Sequence, residues 1–149
     1  MTLDDEILQL RANPVFALFE IEALRLIAFS SDTRSYRKDD VLFREGDVSD
    51  GGFFIVSGSV SLIGPDSTET HGSDALIGET ALFADTKRPA TANIVEPTVL
   101  RRIPRHLMRR VLAEFPETAD RVHRHLNAKL TNLTERLSQV HALLHDDRV

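Results

Sequence analysis

Leu76-Ile77-Gly78-Glu79-Thr80-Ala81-Leu82-Phe83-Ala84-Asp85-Thr86-Lys87-Arg88-Pro89-Ala90-Thr91 is the stretch that decides how this chain folds and what it can hold. It sets one carboxylate and one guanidinium on either side of a turn compatible with a short helix. Gly78 lets the backbone approach a ligand closely and opens that turn. Glu79 can accept hydrogen bonds from hydroxyl groups, and Arg88 is a permanent cation whose planar fork matches a phosphate. Thr80 to Ala84 can close one helical turn, whose first N–H groups point outward and favour an anion. An acceptor for sugar hydroxyls, a helix start and an arginine in one cassette point to a nucleotide monophosphate site.

Outward from the cassette, residues 34–103 read as short strands. Val41 to Phe43, Phe53 to Val56, Val60 to Ile63, Ala92 to Val95 and Val99 to Ile103 are β-suited runs. Turn residues separate them: Glu45-Gly46-Asp47, Asp50-Gly51-Gly52, Ser57-Gly58, Gly64-Pro65-Asp66 and Glu96-Pro97. Short strands at this spacing predict an antiparallel, jelly-roll-like double-stranded β-roll and not a parallel sheet. The fold class is therefore α+β, because both flanks are helical.

Residues 1–31 carry apolar positions at helical spacing, interrupted at Pro14. After Pro104, Leu107, Met108, Val111, Leu112 and Phe115 form a short amphipathic helix that stops near Pro116. A longer helix then starts near Glu117 and runs to about His145. Its Leu126, Leu130, Leu133, Leu137, Val140 and Leu144 alternate steps of four and three, the seam of a self-pairing helix. The other reading is a monomer whose last helix folds back over the roll.

The whole chain of 149 residues is one domain's worth, and 42% hydrophobic residues supply a core. The net charge of −5 argues against a nucleic-acid binder, which carries a basic field. Zero cysteines exclude disulfides, zinc–thiolate sites and thiol catalysis, and fit a cytoplasmic protein. The start is acidic, without the layout of a signal peptide, and no run is long and apolar enough to span a membrane.

Helical entry, glycine-punctuated β-roll, Gly-Glu…Arg cassette and two closing helices together resemble the cyclic nucleotide-binding domain family. Residues 37–47 look like its first strand pair and glycine turn, and Phe53 to Val60 like its aromatic-to-glycine turn. Ile77 to Leu82 with Arg88-Pro89-Ala90-Thr91 resembles its phosphate-binding cassette. The resemblance implies a ligand site at Gly78, Glu79, Thr80, Ala81, Arg88, Pro89, Ala90 and Thr91. Arg88 would pair with the cyclic phosphate, Glu79 would accept the ribose 2′-hydroxyl, Gly78 would permit close approach, and the Ala81 amide would donate to a phosphate oxygen. In a dimer of this kind the last helix covers the base, which makes Thr131, Leu133 and Thr134 candidate base contacts.

Two positions depart from the family pattern. Pro89 stands where the family has Ala, Ser or Thr, and it offers neither N–H nor hydroxyl. A lost hydrogen bond to a charged group costs about 1.5–3 kcal/mol. A missing hydroxyl also tilts the choice from cyclic GMP toward cyclic AMP. Asp39 replaces a common family glycine on an outer turn.

Other candidate chemistry is thinner. His141 and His145 share a helix face, but no carboxylate completes a metal set. His71 stands alone in a loop of the roll. Arg101, Arg102, Arg105, Arg109 and Arg110 form a basic run of the kind usually found on a solvated face. No nucleophile elbow, lysine-bearing phosphate loop or catalytic acid pair is present, so no enzyme is expected. Only Asp146 to Val149 follow His145, leaving no recognition helix for DNA. The expectation is a stand-alone cyclic nucleotide sensor, dimeric through its last helix and acting on an effector protein that the sequence does not identify. The alternatives are a dimerising interaction module without ligand, and a jelly-roll metalloenzyme.

Overall fold

A computed structural model describes residues 2–130. Helix α1 (Leu3–Arg11) opens on a capping box, in which Thr2 and Asp5 satisfy each other's backbone N–H. Those bonds hold the Asp5 carboxyl below its usual range. A 3-10 turn (Phe16–Leu18) and α2 (Ile21–Ser30) follow the break at Pro14. Eight strands come next: β1 (Asp32–Tyr36), β2 (Val41–Phe43), β3 (Gly51–Ser57), β4 (Val60–Ile63), β5 (Thr68–His71), β6 (Leu76–Ile77), β7 (Thr91–Ile94) and β8 (Thr98–Pro104). The short α3 (Glu79–Phe83) lies between β6 and β7, and α4 (Arg105–Glu114) follows β8. Residues 116–130 form α5, with Pro116 in the first position, where a missing N–H costs nothing.

The strands make two antiparallel sheets, ordered β1-β8-β3-β6 and β2-β7-β4-β5. The predicted α+β class and β-roll are what the structure shows. Phe53, Ile55, Val60, Ile77, Ala92, Ile94 and Leu100 fill the space between the sheets. A second core lies outside the first sheet, where Phe54, Leu82 and Ile103 meet α1, α2, α4 and Val122 of α5. Strand β3 serves both cores, with Phe53 and Ile55 facing inward and Phe54 facing the helices. Burial on both faces explains why it reads as an unbroken apolar run.

Three strands carried no sequence signal. β1 and β5 are short, polar and mostly exposed, and β6 is two residues long. Pairing holds them: Asp32 to Tyr36 lie along β8, and Thr68 to His71 along β4. His71 is therefore in a strand opposite Val60, not in a loop, with Nε2 at 3.3 Å from Glu69 Oε2. Asp39 has a positive φ of 74°, backbone that favours glycine and that aspartate tolerates better than most side chains.

The basic run is also not one solvated face. Arg109 and Arg110 are exposed, but Arg101 and Arg105 are buried at 4% and 9% exposure. Arg101 donates to the Ala28 carbonyl (3.0 Å) and Ser31 Oγ (2.9 Å) and pairs with Glu6 (3.1 Å), tying α1 and the end of α2 to β8. A cation at a helix C-terminus is favourably placed. Among the described residues no helix is long and apolar enough to cross a membrane.

Candidate functional site

The cassette is built on β3. Gly52 leaves its surface bare so that α3 can lie against the strand, and Gly51 makes room for the end of β8, where a Cβ would meet the Ile103 carbonyl at 2.2 Å. A Cβ on Gly52 would come within 3.0 Å of Leu82 Cγ. Ala81 and Leu82 are buried, and Leu82 fastens α3 to the helical core. Burial of a side chain such as Leu82 is worth about 1.5–3 kcal/mol. Gly78 caps the N-terminus of α3 at φ 77°, ψ 40°, a conformation that suits glycine. Arg105 closes the arrangement from α4, donating to the Ala81 carbonyl (2.8 Å) and to the Ser49 carbonyl and hydroxyl (both 2.9 Å).

Arg88 arrives from the loop before β7, pinned by backbone bonds from its N–H to Asp47 and from Gly46 to its carbonyl, both 2.8 Å. Arg88 as a residue is 5% exposed, and its guanidinium lies over Phe43, with Cζ at 4.3 Å from the ring centroid. Nη2 donates to the Gly51 carbonyl at 2.8 Å. Nη1 is buried and has no hydrogen-bond partner among the described residues. It faces Gly78 so closely that a Cβ there would meet it at 2.5 Å. Desolvation pushes the Arg88 pKa below its ordinary value, partly offset by Asp50. A guanidinium nonetheless remains charged in any ordinary protein environment. Half of a buried cationic fork is thus satisfied by the protein and half is not.

Arg88 lines a cavity of about 220 Å³. Seven of the eight predicted cassette residues line it: Gly78, Glu79, Thr80, Ala81, Arg88, Pro89 and Ala90. Thr91 does not; its hydroxyl accepts the Glu45 N–H at 3.0 Å and braces the turn after β2. Ile77 and Thr86, inside the cassette but not among its named ligand residues, also line the cavity, as do Phe43 and Leu62, which were not foreseen. Leu62 could have been found from its alternation with Val60 in β4, whereas nothing local marks Phe43 as the platform for Arg88.

Two groups are engaged within the protein. The Ala81 amide donates to the Gly78 carbonyl at 3.1 Å, the tight turn that starts α3. Glu79 is about one-quarter exposed and receives Lys129 Nζ of α5 on both oxygens, at 3.0 and 2.9 Å. His125 Nε2 stands 3.7 Å from the same carboxylate. The candidate base contacts Thr131, Leu133 and Thr134 lie outside the described residues, as do His141, His145 and the heptad positions Leu137, Val140 and Leu144. Among the described residues no group of three His, Asp or Glu side chains could hold a metal ion.

A family model described as the cyclic nucleotide-binding domain matches residues 33–115. The structure is similar to that of a cyclic nucleotide-binding-like protein from Brucella abortus. That similarity has 36% identity and a TM-score of 0.65, covering 74% of this chain and 99% of that one. It is also similar to the N-terminal domain of a transcriptional regulator from Streptomyces coelicolor, at 28% identity and TM-score 0.76 over 86% and 94% of the two chains. Among curated proteins, lysophospholipase nte1 of Aspergillus fumigatus is 24% identical over 116 residues. That match covers 74% of this chain, which spans 8% of the length of that protein.

Proposed function

The chain belongs to the cyclic nucleotide-binding domain family, and on that premise we propose that it is a sensor holding a cyclic nucleotide between Arg88 and Glu79. One observation carries this reading: the buried Arg88 guanidinium whose Nη1 has no partner among the described residues and lies close beside Gly78, both residues lining the cavity. A buried cation left half-bonded is costly. A cyclic phosphodiester is a compact monoanion that would complete the fork with a charge-assisted hydrogen bond. Glu79 would take the ribose 2′-hydroxyl, and the wall of Leu62, Pro89 and Ala90 would lie against the sugar and base. Pro89 carries no hydroxyl for a guanine, so cyclic AMP is favoured over cyclic GMP.

The signal would pass through the C-terminal helices, because α3, α4 and α5 pack together beside the cassette. The protein would dimerise through the helix carrying Leu126, Leu130, Leu133, Leu137, Val140 and Leu144, act on an effector protein, and reside in the cytoplasm. Leu126 packs partly against the helical core, while Leu130 is 62% exposed. Calorimetric titration with cyclic AMP and cyclic GMP tests the proposal. Wild type binds and Arg88→Ala loses binding; no heat from either nucleotide with wild type removes the reading.

A second reading rests on Pro89, which lacks a donor, and on the occupied Glu79 carboxylate. In it the roll is a dimerising interaction module without ligand. Its mark is a dimer, or a complex with another protein, whose stability does not change when nucleotide is added.

A further inference from the structure

Three successive carbonyls at the entry to β3 are each taken by an arginine. The Ser49 carbonyl accepts from the Arg105 guanidinium (2.9 Å), the Asp50 carbonyl from the Arg105 backbone N–H (2.7 Å), and the Gly51 carbonyl from Arg88 Nη2 (2.8 Å). One short run of backbone thus joins the first residue of α4 to the arginine of the cassette. Ser49 extends this reach. Its hydroxyl accepts from Arg105 Nη2 at 2.9 Å, and both its N–H and its hydroxyl donate to the Thr86 carbonyl, two residues before Arg88. On the other side, Arg105 Nε donates to the Ala81 carbonyl of α3 at 2.8 Å. Ala81 and Thr86 line the cavity, whereas Arg105 does not.

We propose that Arg105 is a positioning residue for the nucleotide: with Ser49 it clamps α3 and the arm carrying Thr86 and Arg88 at one spacing, and so sets from α4 the affinity of a site it does not touch. The inference rests on the reading of the cavity as a cyclic nucleotide site. A planar guanidinium suits the task, because its donors leave a rigid fork in fixed directions and one group can hold several acceptors. A hydrogen bond of ordinary length is lost on a shift of about 1 Å. Arg88 Nη1 and the start of α3 must therefore keep their spacing if both are to hold one phosphate. Because coupling is reciprocal, a nucleotide that needs the cassette in this arrangement also favours α4 in this place. The grip is on the frame, not on the ligand.

Two measurements on the full chain separate the clamp from the ligand reading. The control is Arg101→Ala, which removes another buried arginine whose bonds run to Ala28, Ser31 and Glu6, away from the cassette. Without nucleotide, amide hydrogen exchange over residues 79–88 quickens in Arg105→Ala and in Ser49→Ala but not in Arg101→Ala. Unchanged exchange in the first two overturns the clamp, whatever the protein binds. With cyclic AMP, calorimetry is run where each variant is fully folded, so that lost stability alone leaves affinity unchanged. Arg105→Ala and Ser49→Ala then bind about three- to tenfold more weakly than wild type, the scale of one hydrogen bond. Arg101→Ala stays within about twofold. Should Arg105→Ala not fold, Ser49→Ala, which deletes a single hydroxyl, carries the same test. Wild-type affinity in the cassette variants, or an equal loss in Arg101→Ala, overturns the positioning role and leaves the nucleotide reading standing. No binding by wild type sinks that reading, and the positioning role with it.

Discussion

At the scale of single residues, Arg88 is where stability and function pull apart. Its guanidinium is buried over Phe43 with one nitrogen bonded to Gly51 and the other unpaired among the described residues. Exchange of a buried charge for an apolar side chain of similar length is often neutral or stabilising. Arg88→Met should therefore abolish nucleotide binding while keeping or raising the unfolding free energy, by up to about 1–2 kcal/mol in urea denaturation. A loss of stability of similar size would show that Arg88 is structural. Gly78→Ala should also lose binding, because φ 77° disfavours a side chain and the new Cβ would meet Arg88 Nη1 at 2.5 Å. Pro89→Ala runs the other way: it restores a backbone N–H beside the phosphate, and calorimetry should read roughly tenfold tighter binding. The cassette residues were legible because a glycine, an acid and a base at a turn carry unusual chemistry. Phe43 was not, because an aromatic residue in a strand has the same local appearance whether or not a cation lies on it.

Among elements, α3 is too short to be stable alone and is held by its neighbours. Leu82 anchors it below, and Arg105 holds its Ala81 carbonyl from α4. Arg105→Ala leaves the Ala81 and Ser49 carbonyls short of a donor and should cost about 2–3 kcal/mol in denaturant unfolding. Arg109→Ala, on the exposed side of the same helix, should change stability by less than about 0.5 kcal/mol. Equal effects would mean that the buried bonds of Arg105 contribute nothing. The sequence presented the five arginines as one basic run, and the structure divides them. What buries Arg101 and Arg105 lies far along the chain, at Ala28 and Ser49, and local pattern does not report such partners. β3 was legible because its apolar run is unbroken. β1 and β5 were not, because polar edge strands are defined by the strand they pair with, β8 and β4, and not by their own residues.

For the whole molecule, the α+β roll could be read from turn spacing and from helical period at both ends. The orientation of α5 could not. A search for apolar positions finds the seam Leu126, Leu130 and onward, whereas the face against the roll includes His125 and Lys129, which only the opposing Glu79 explains. Of the seam positions among the described residues, Leu126 packs partly on the helical core and Leu130 is 62% exposed. If the seam pairs, light scattering should give twice the 16.7 kDa chain mass, and Leu130→Glu should halve it. A wild-type monomer would favour the helix folded back on its own roll.

The account turns on one cyclised phosphate seated against Arg88. A crystal structure of the protein grown with cyclic AMP tests this most directly. It should show a phosphate oxygen within about 2.7–3.0 Å of Arg88 Nη1. The ribose should lie at Glu79. Density for the nucleotide elsewhere, or a native side chain filling the hollow beside Gly78, would contradict it.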